Sequence, residues 1–244
     1  HIMPLLYELL YRKDNNMKKV GFIGVYDKTD LILDISKLLT RNGKKVLFID
    51  STKDQKAKYI VPNILPTVSY VTTFEDIDVA IGFENIEQIA HYLGVDTENE
   101  FEYEYIFLDT DNFDGVRDFE ALSFDKLYYV TSFDGYSLRK GIELLKEINL
   151  PLKMTRLFFT KEMLKEEDEY FNYLTLELKE EWTDNKLYFL LENGDLAVHM
   201  ENHRLQCIKL KNLSNEYREN IVYIVRELCS GLDEKMLRKM TKEI

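Results

Sequence analysis

The sequence predicts an α/β fold: a doubly wound, mostly parallel sheet with helices on both faces. Short apolar runs alternate along the chain with amphipathic segments of helical spacing, as 20–26 and 30–41 do near the start. Helical connections make neighbouring strands parallel and cover both faces of the sheet, so the strands themselves are apolar. Two of these runs, 44–50 and 105–109, end in an aspartate.

The predicted elements follow from these patterns. Runs rich in Val, Ile, Leu, Phe and Tyr predict strands at 20–26, 44–50, 68–73, 77–83, 105–109, 126–132, 154–160 and 186–191. Apolar residues at helical spacing predict helices at 30–41, 86–93, 136–148 and 217–229. Asn42-Gly43 and Gly94 provide stops for the first two helices. Residues 161–186 are charged and irregular, and no element is assigned to them.

The domain organisation follows from length and composition. The chain has 244 residues, of which 45% are hydrophobic, enough for one large domain or two small ones. Because no linker and no repeat interrupts it, we predict a single domain over 17–244. Met17-Lys18-Lys19 has the character of a natural start, so residues 1–16 are expected to be a tag or an upstream extension.

Charge and cysteine content exclude some classes of function. The net charge of −12 repels phosphate backbones, which makes DNA binding unlikely. The 16 Tyr and 14 Phe could supply an interface with a protein partner, or could lie on half-exposed strands. Cys207 and Cys229 lack the spacing of a zinc or redox site. No run reaches the roughly 20 apolar residues of a membrane span, and we expect a cytoplasmic protein.

Candidate site residues stand where predicted strands end, because ligands of such sheets bind beyond the carboxyl ends of the strands. Lys28 and Thr29 follow the first strand, Asp50 ends the second, and Asp109 ends the run at 105–109. A lysine at a helix start neutralises phosphate, an adjacent hydroxyl coordinates Mg²⁺, and a carboxylate holds a metal-bound water. The pattern points to a phosphate site in which Thr29 and Asp109 face the metal.

Three stretches carry a resemblance to a known family. They are RNGKKVLFIDSTKDQ at 41–55, YEYIFLDTDN at 103–112 and YYVTSFDGYSLRKGIELLKEI at 128–148. Their order and spacing resemble the deviant-Walker P-loop family that includes the ParA and MinD ATPases, over nearly the whole chain from residue 18. The resemblance implies ATP and Mg²⁺ as cofactors, protein partners, and a homodimer formed across the nucleotide-binding face.

The first loop departs from the family pattern KGGxGKT. Asp27 stands at the glycine before the lysine, Gly24 is the one glycine left in the loop, and Ile23 occupies the place of the signature lysine. Glycines allow backbone N–H groups to approach phosphates, and a carboxylate beside them repels the ligand. Thr52 and Thr160 also replace, respectively, an aspartate that positions water and an asparagine that reads adenine in relatives. We therefore predict weak or lost ATP binding and no efficient hydrolysis.

Structural readings of the same residues stay open. Lys28 and Thr29 are equally well explained as the start of a helix with Asp27 as its N-cap. Asp50 and Asp109 are alternatively strand-end residues that hold loops. His199 and His203 are expected on the surface rather than in a metal site.

Three functions fit these features. The favoured one is a localisation or assembly factor with an eroded nucleotide site, similar to the TadZ proteins of Flp/Tad pilus machines, whose partner would be a pilus or secretion ATPase. The alternatives are a slow ATP-dependent dimerisation switch and an enzyme acting on another phosphorylated ligand. An amphipathic stripe at 232–244 suggests either membrane docking, which would place the protein at the inner membrane face, or a frayed helix or partner contact.

Overall fold

An eight-stranded sheet forms the centre of the protein. The computed structural model describes residues 17–63 and 67–244, so the segment assigned to a tag or extension, 1–16, lies outside the described residues. The order of the strands across the sheet is β3-β4-β2-β5-β1-β6-β7-β8. The strands are β1 (Lys18–Ile23), β2 (Val46–Asp50), β3 (Tyr70–Phe74), β4 (Ile77–Ile81), β5 (Tyr105–Thr110), β6 (Lys126–Ser132), β7 (Lys153–Thr160) and β8 (Glu181–Leu190).

Pairing in the sheet is parallel except at one edge. Strands β3 and β4 form an antiparallel pair, and the six remaining neighbour pairs are parallel. The register places Asp50 of β2 beside Asp109 of β5, so both aspartates stand at the carboxyl end of the sheet. The predicted fold class, doubly wound and mostly parallel, is confirmed.

Helices cover both faces of the sheet. The elements are α1 (Thr29–Thr40), α2 (Ile86–Leu93), α3 (Phe113–Asp118), α4 (Gly135–Ile148), α5 (Lys165–Leu174), α6 (Asp195–Leu205), α7 (Asn215–Leu228) and α8 (Glu234–Glu243). The buried side chains of α1, α7 and α8 share one hydrophobic core, and those of α2, α3, α4 and α5 share the other. The sheet separates these two cores, which gives a three-layer α/β/α arrangement.

The amphipathic pattern at 30–41 forms α1, the helix that follows the candidate loop. Leu31, Ile35 and Leu38 are fully buried against the sheet, and Asp30 and Lys37 stand near the positive and negative ends of the helix dipole, respectively. Burial of this face fixes the start of the helix, and with it the position of Lys28 and Thr29.

Three helices occur where no helix is predicted: the six-residue α3, and the longer α5 and α6. Helix α5 lies in the charged segment 161–186 and buries only Phe171. Helix α6 buries the polar side chains of Asp195, His199 and Asn202, while Leu196 and Met200 are 62% and 63% exposed. Both helices therefore lack the apolar stripe by which a helix is recognised in a sequence.

The C-terminal stripe forms α8 and packs inside the molecule. Leu237 is fully buried beside α7 and α1, and Met240 and Ile244 pack against the same core. The amides of Leu210 and Lys211 donate to the carbonyl of Ile244, which fixes the end of the chain. An apolar face used in this way is not available for insertion into a lipid surface.

No helix among the described residues combines the length and the apolar character needed to cross a membrane.

Candidate functional site

The loop after β1 lies at the switch point of the sheet. From β1 the chain crosses to β2 on one side, while the connections after β5 and β6 lead to the other side. Loops that leave neighbouring strands in opposite directions open a crevice at the carboxyl end of the sheet, where ligands of such folds bind. Residues 24–28 border this crevice.

Gly24 is required by a close approach of two strands. Its φ is +143°, and a Cβ atom there would lie 2.0 Å from the carbonyl oxygen of Val130 in β6. Its amide donates to the carbonyl of Thr110, the last residue of β5. The remaining glycine of the loop is therefore explained by packing between β1 and its neighbours, without any ligand.

Lys28 and Asp109 form a buried ion pair. The Lys28 ammonium lies 2.6 Å from Oδ1 of Asp109, and both side chains are almost fully buried. The same ammonium donates to the carbonyl of Gly24 at 2.7 Å. Within the described part of the chain, Oδ1 of Asp109 has no hydrogen-bond partner other than Lys28, so its charge depends on that ammonium.

Burial dominates the electrostatics of Asp109. Loss of solvation raises its pKa to about 7; the nearby Lys28 ammonium opposes this rise and the neighbouring Asp50 carboxylate adds to it. Near neutral pH the Lys28–Asp109 pair is therefore close to the point at which the carboxylate takes up a proton.

Asp27 joins the loop to the segment after β2. One carboxylate oxygen accepts from the amide of Thr29 at 3.1 Å, and the other lies 3.1 Å from the ammonium of Lys56. Burial alone would raise the pKa of Asp27, but the Thr29 amide and the Lys56 ammonium outweigh it and hold the pKa below its usual value. The N-cap residue of α1 is Lys28, whose side chain makes no capping hydrogen bond. Asp27, the predicted N-cap, lies one residue before it and supports the helix start from there.

Asp50 points away from the loop. One of its oxygens accepts from the amide and hydroxyl of Thr52, at 3.0 and 2.6 Å, and the other accepts from the amide of Ala57 at 2.9 Å. Burial raises the pKa of Asp50, and these hydrogen bonds oppose the rise. Its contacts are those of a residue that fixes the turn after β2.

A cavity of about 130 Å³ lies over the loop. It brings together the predicted residues Asp27, Lys28, Thr29 and Asp109, and it excludes Asp50. The other lining residues are Val25, Tyr26, Thr52, Asp54, Lys56, Asp111 and Tyr136. Four carboxylates thus face two ammonium groups, a distribution that favours a cation over an anion at this site.

The lining residues that sequence reasoning missed are chiefly Lys56 and Tyr136. Lys56 belongs to a short 3-10 turn, Lys56–Tyr59, and Tyr136 is the second residue of α4. Nothing in the spacing of the sequence distinguishes Lys56 from the other lysines near it. The YYVTSFDGYS stretch does place Tyr136 after β6, so its position at the carboxyl end of the sheet follows from the strand assignment.

An aromatic stack lies beside the cavity. Tyr26 of the loop stacks on Phe159 at a ring distance of 4.7 Å, and Phe159 stacks on Phe189 at 4.8 Å. Both partners stand at the ends of their strands, β7 and β8. Stacking fixes the loop residue next to Asp27 and so limits the movement of the loop.

The two histidines of α6 pair with α1. His199 is buried, with Nε2 2.9 Å from Asp34, and the expectation of a surface position is wrong for it; half-buried His203 lies 2.6 Å from Asp30. Burial opposes charge on His199, but the Asp34 carboxylate outweighs it and raises the pKa of His199 to about 9. No cluster suited to a metal ion occurs in 17–63 or 67–244.

Solved structures share this architecture. The chain superposes on a ParA family ATPase from Chlorobium tepidum TLS with a TM-score of 0.50 and 15% identity, covering 93% of this chain and 98% of that chain. The MinD cell division protein of Aquifex aeolicus gives a TM-score of 0.56 and 16% identity, over 88% and 98%. A putative plasmid partition protein from Borrelia burgdorferi B31, bound to AMPPNP, gives a TM-score of 0.52 and 15% identity. The match covers 87% of this chain and 99% of that chain.

The chain has the fold of the ParA and MinD ATPases. At this level of identity the likeness is one of fold. No protein-family model matches the sequence, and no curated protein sequence matches it significantly.

Ile23, Thr52 and Thr160, at which the sequence departs from the family pattern, have structural roles in this fold. Ile23 ends β1 and is fully buried in the core that α2, α3, α4 and α5 share. Thr52 hydrogen-bonds to Asp50, and Thr160 donates to the carbonyl of Glu162 and the carboxylate of Glu167. Ile23 and Thr160 are buried, whereas Thr52 is partly buried and lines the cavity.

Proposed function

We propose that this protein is a localisation or assembly factor of the ParA/MinD fold that recruits partners without turning over nucleotide. One observation carries the proposal: the ammonium of Lys28, the group that would neutralise a phosphate, is held in a buried ion pair with Asp109.

A phosphate would have to compete with Asp109 for Lys28. Withdrawing the ammonium leaves the buried carboxylate unpaired, and breaking a buried pair in this way costs about 3–5 kcal/mol. Because the pKa of Asp109 is about 7 beside Lys28 and rises when the ammonium leaves, the full cost applies above neutral pH, and protonation of Asp109 reduces it at pH 7 and below.

Asp27 adds a second obstacle. Two like unit charges 4 Å apart repel by about 4 kcal/mol at an effective dielectric constant of 20. The cavity of about 130 Å³ is also smaller than the roughly 300–1,000 Å³ of most ligand pockets. A triphosphate with Mg²⁺ does not fit the residues at this site, and we derive no step of catalysis from them.

The exposed apolar side chains around the crevice support a role in binding protein. Tyr136 is 70% exposed beside the cavity, and Leu196 and Met200 are exposed on α6. Leu196 also lines a second cavity, of about 110 Å³, together with Tyr26 and Phe159. We propose that this end of the sheet forms a homodimer that needs no nucleotide, since apolar contacts take the place of ligand-mediated ones.

The proposed partner is a pilus or secretion ATPase, and the proposed role is to place it at a site in the cytoplasm or at the inner face of the membrane. The resemblance of the altered loop to that of the TadZ proteins supports this assignment.

Calorimetric titration with ATP·Mg²⁺ and an assay of phosphate release test the proposal on residues 17–244. We expect no binding in the micromolar range and turnover at the background rate. The variant Asp27→Gly should bind ATP more tightly than the parent, because it removes the repelling carboxylate and releases the Thr29 amide.

Asp54→Gly is the matched control, because it removes an equal charge from the cavity without changing the loop. It should raise the affinity less than Asp27→Gly does. A micromolar dissociation constant for the parent protein, with sustained phosphate release, would overturn the proposal and favour the ATP-dependent switch.

A further inference from the structure

The solvent face of α8 carries a stripe of lysines. Lys235, Lys239 and Lys242 recur at i, i+4 and i+7, so they project from one side of the helix, opposite buried Leu237. Lys239 lies 3.5 Å from Glu243. In the described part of the chain, Lys235 and Lys242 form no ion pair. This lysine stripe stands out on a protein with a net charge of −12.

The solvent face of α5 has the opposite character. The inner side of the helix holds Phe171, and the outer side presents Glu166 and Glu169 together with Tyr170 and Tyr173, which are 44% and 69% exposed. Glu169 contacts Lys165 within the helix. We call these four outer residues the glutamate–tyrosine face.

The two surfaces lie on opposite sides of the sheet. Helix α8 packs on the core that contains α1 and α7, whereas α5 packs on the other core. The lysine stripe of one molecule therefore cannot reach the glutamate–tyrosine face of the same molecule.

We propose that the lysine stripe docks on the glutamate–tyrosine face of a second copy of this chain. The two surfaces match in length: each spans seven residue steps, about 10.5 Å of helix at 1.5 Å per residue. Glutamates pair with the ammonium groups, and the tyrosine rings pack against the lysine stems and attract their charged ends.

Such a contact is heterologous. Each copy offers one surface of each kind on opposite sides, so successive copies add head to tail and the assembly stays open instead of closing as a dimer. It is separate from the crevice at the carboxyl end of the sheet and does not depend on a ligand there. Because exposed charges carry it, salt weakens it.

Sedimentation velocity of residues 17–244 in 50 mM and 500 mM salt tests the inference. We expect species larger than a dimer at low salt, growing with protein concentration, and an apparent dissociation constant about tenfold or more higher at high salt. Reversing the stripe (Lys235→Glu, Lys239→Glu, Lys242→Glu) or the opposite face (Glu166→Lys, Glu169→Lys) should abolish those species.

Charge exchange makes the test specific. An equimolar mixture of the two reversed proteins should assemble again, as should a chain that carries both reversals, because each contact then has opposite charges. The control Lys140→Glu, Lys146→Glu, Lys179→Glu changes the net charge equally and should still assemble. Absence of low-salt assembly in the parent, assembly that survives either reversal, or failure of both rescues would overturn the inference.

Discussion

At the scale of single residues, the candidate site is held by contacts within the chain. Lys28 pairs with Asp109, Asp27 bridges to Lys56, and the remaining loop glycine is explained by its contact with β6. The sequence predicted Lys28, Asp27 and Asp109 at this end of the sheet, and it also predicted Asp50, whose carboxylate is held by Thr52 and Ala57 outside the cavity. The sequence did not predict that these charged groups pair with groups of the same chain. Pairing depends on burial and on distances in space, and the spacing of residues along the chain reveals neither.

Breaking the buried ion pair tests this account of Lys28. We expect Lys28→Met to lower the free energy of unfolding by up to about 3–5 kcal/mol at pH 9, because it strands the Asp109 carboxylate, and by less at pH 7, where that carboxyl takes up a proton. The double variant Lys28→Met/Asp109→Leu should lose much less than the sum of the two single changes. Urea denaturation measures the stability of Lys28→Met, Asp109→Leu and the double variant. The control Lys56→Met removes a half-exposed ion pair and should change the free energy of unfolding by less than about 1 kcal/mol. Additive losses would show that the two side chains do not interact.

His199 makes the stability depend on pH. Its pKa is about 9 in the folded protein, above the ordinary value of 6.5. The stabilisation is fully present below about pH 6.5 and is lost as the pH rises through 9, with an upper bound of about 3 kcal/mol. Burial raises the pKa of Asp34 as well, which reduces the net gain of the pair.

The comparison that isolates this effect is between the parent and His199→Gln. Urea denaturation from pH 6 to pH 10 should show the parent's advantage shrinking between pH 7 and 10. An advantage that is independent of pH in this range would contradict the ion pair between α6 and α1.

At the scale of elements, prediction worked where the buried face of an element is apolar. The alternating runs identified the strands, and α2 was predicted with the bounds that the structure has. Helix α6 was not predicted because its buried face is polar. Asp195 accepts from the amide and hydroxyl of Ser214, and His199 pairs with Asp34. Strand β8 begins earlier than predicted because its first half, around Asp184, is exposed and charged.

Helix α8 should stabilise the fold through its apolar stripe. We expect Leu237→Ala to lower the free energy of unfolding by about 2–5 kcal/mol, because the side chain is fully buried. Met236→Ala, at a position 44% exposed on the same helix, should cost less than about 1 kcal/mol. The parent should not co-float with anionic liposomes at physiological salt. Equal losses for the two variants, or flotation that disappears on deleting 232–244, would show that the stripe faces outward.

At the scale of the whole molecule, the fold was predictable and the state of the site was not. Parallel connections and strand-end aspartates follow from the order of apolar runs, and they lead to the observed sheet. The contact from Lys56 to Asp27 depends on a short turn after β2, and the separation of α5 from α8 by the sheet depends on the full topology. Both are properties of the assembled chain.

The mass of the protein in solution, with and without ATP·Mg²⁺, tests the central claim that assembly does not depend on nucleotide. Light scattering on residues 17–244 should be done in 500 mM salt, which screens the contact between the lysine stripe and the glutamate–tyrosine face. We predict a dimer in both conditions, burying at least the roughly 1,200 Å² of a specific interface. A monomer that becomes a dimer only when ATP·Mg²⁺ is added would contradict the claim, and a monomer in both conditions would refute the dimer.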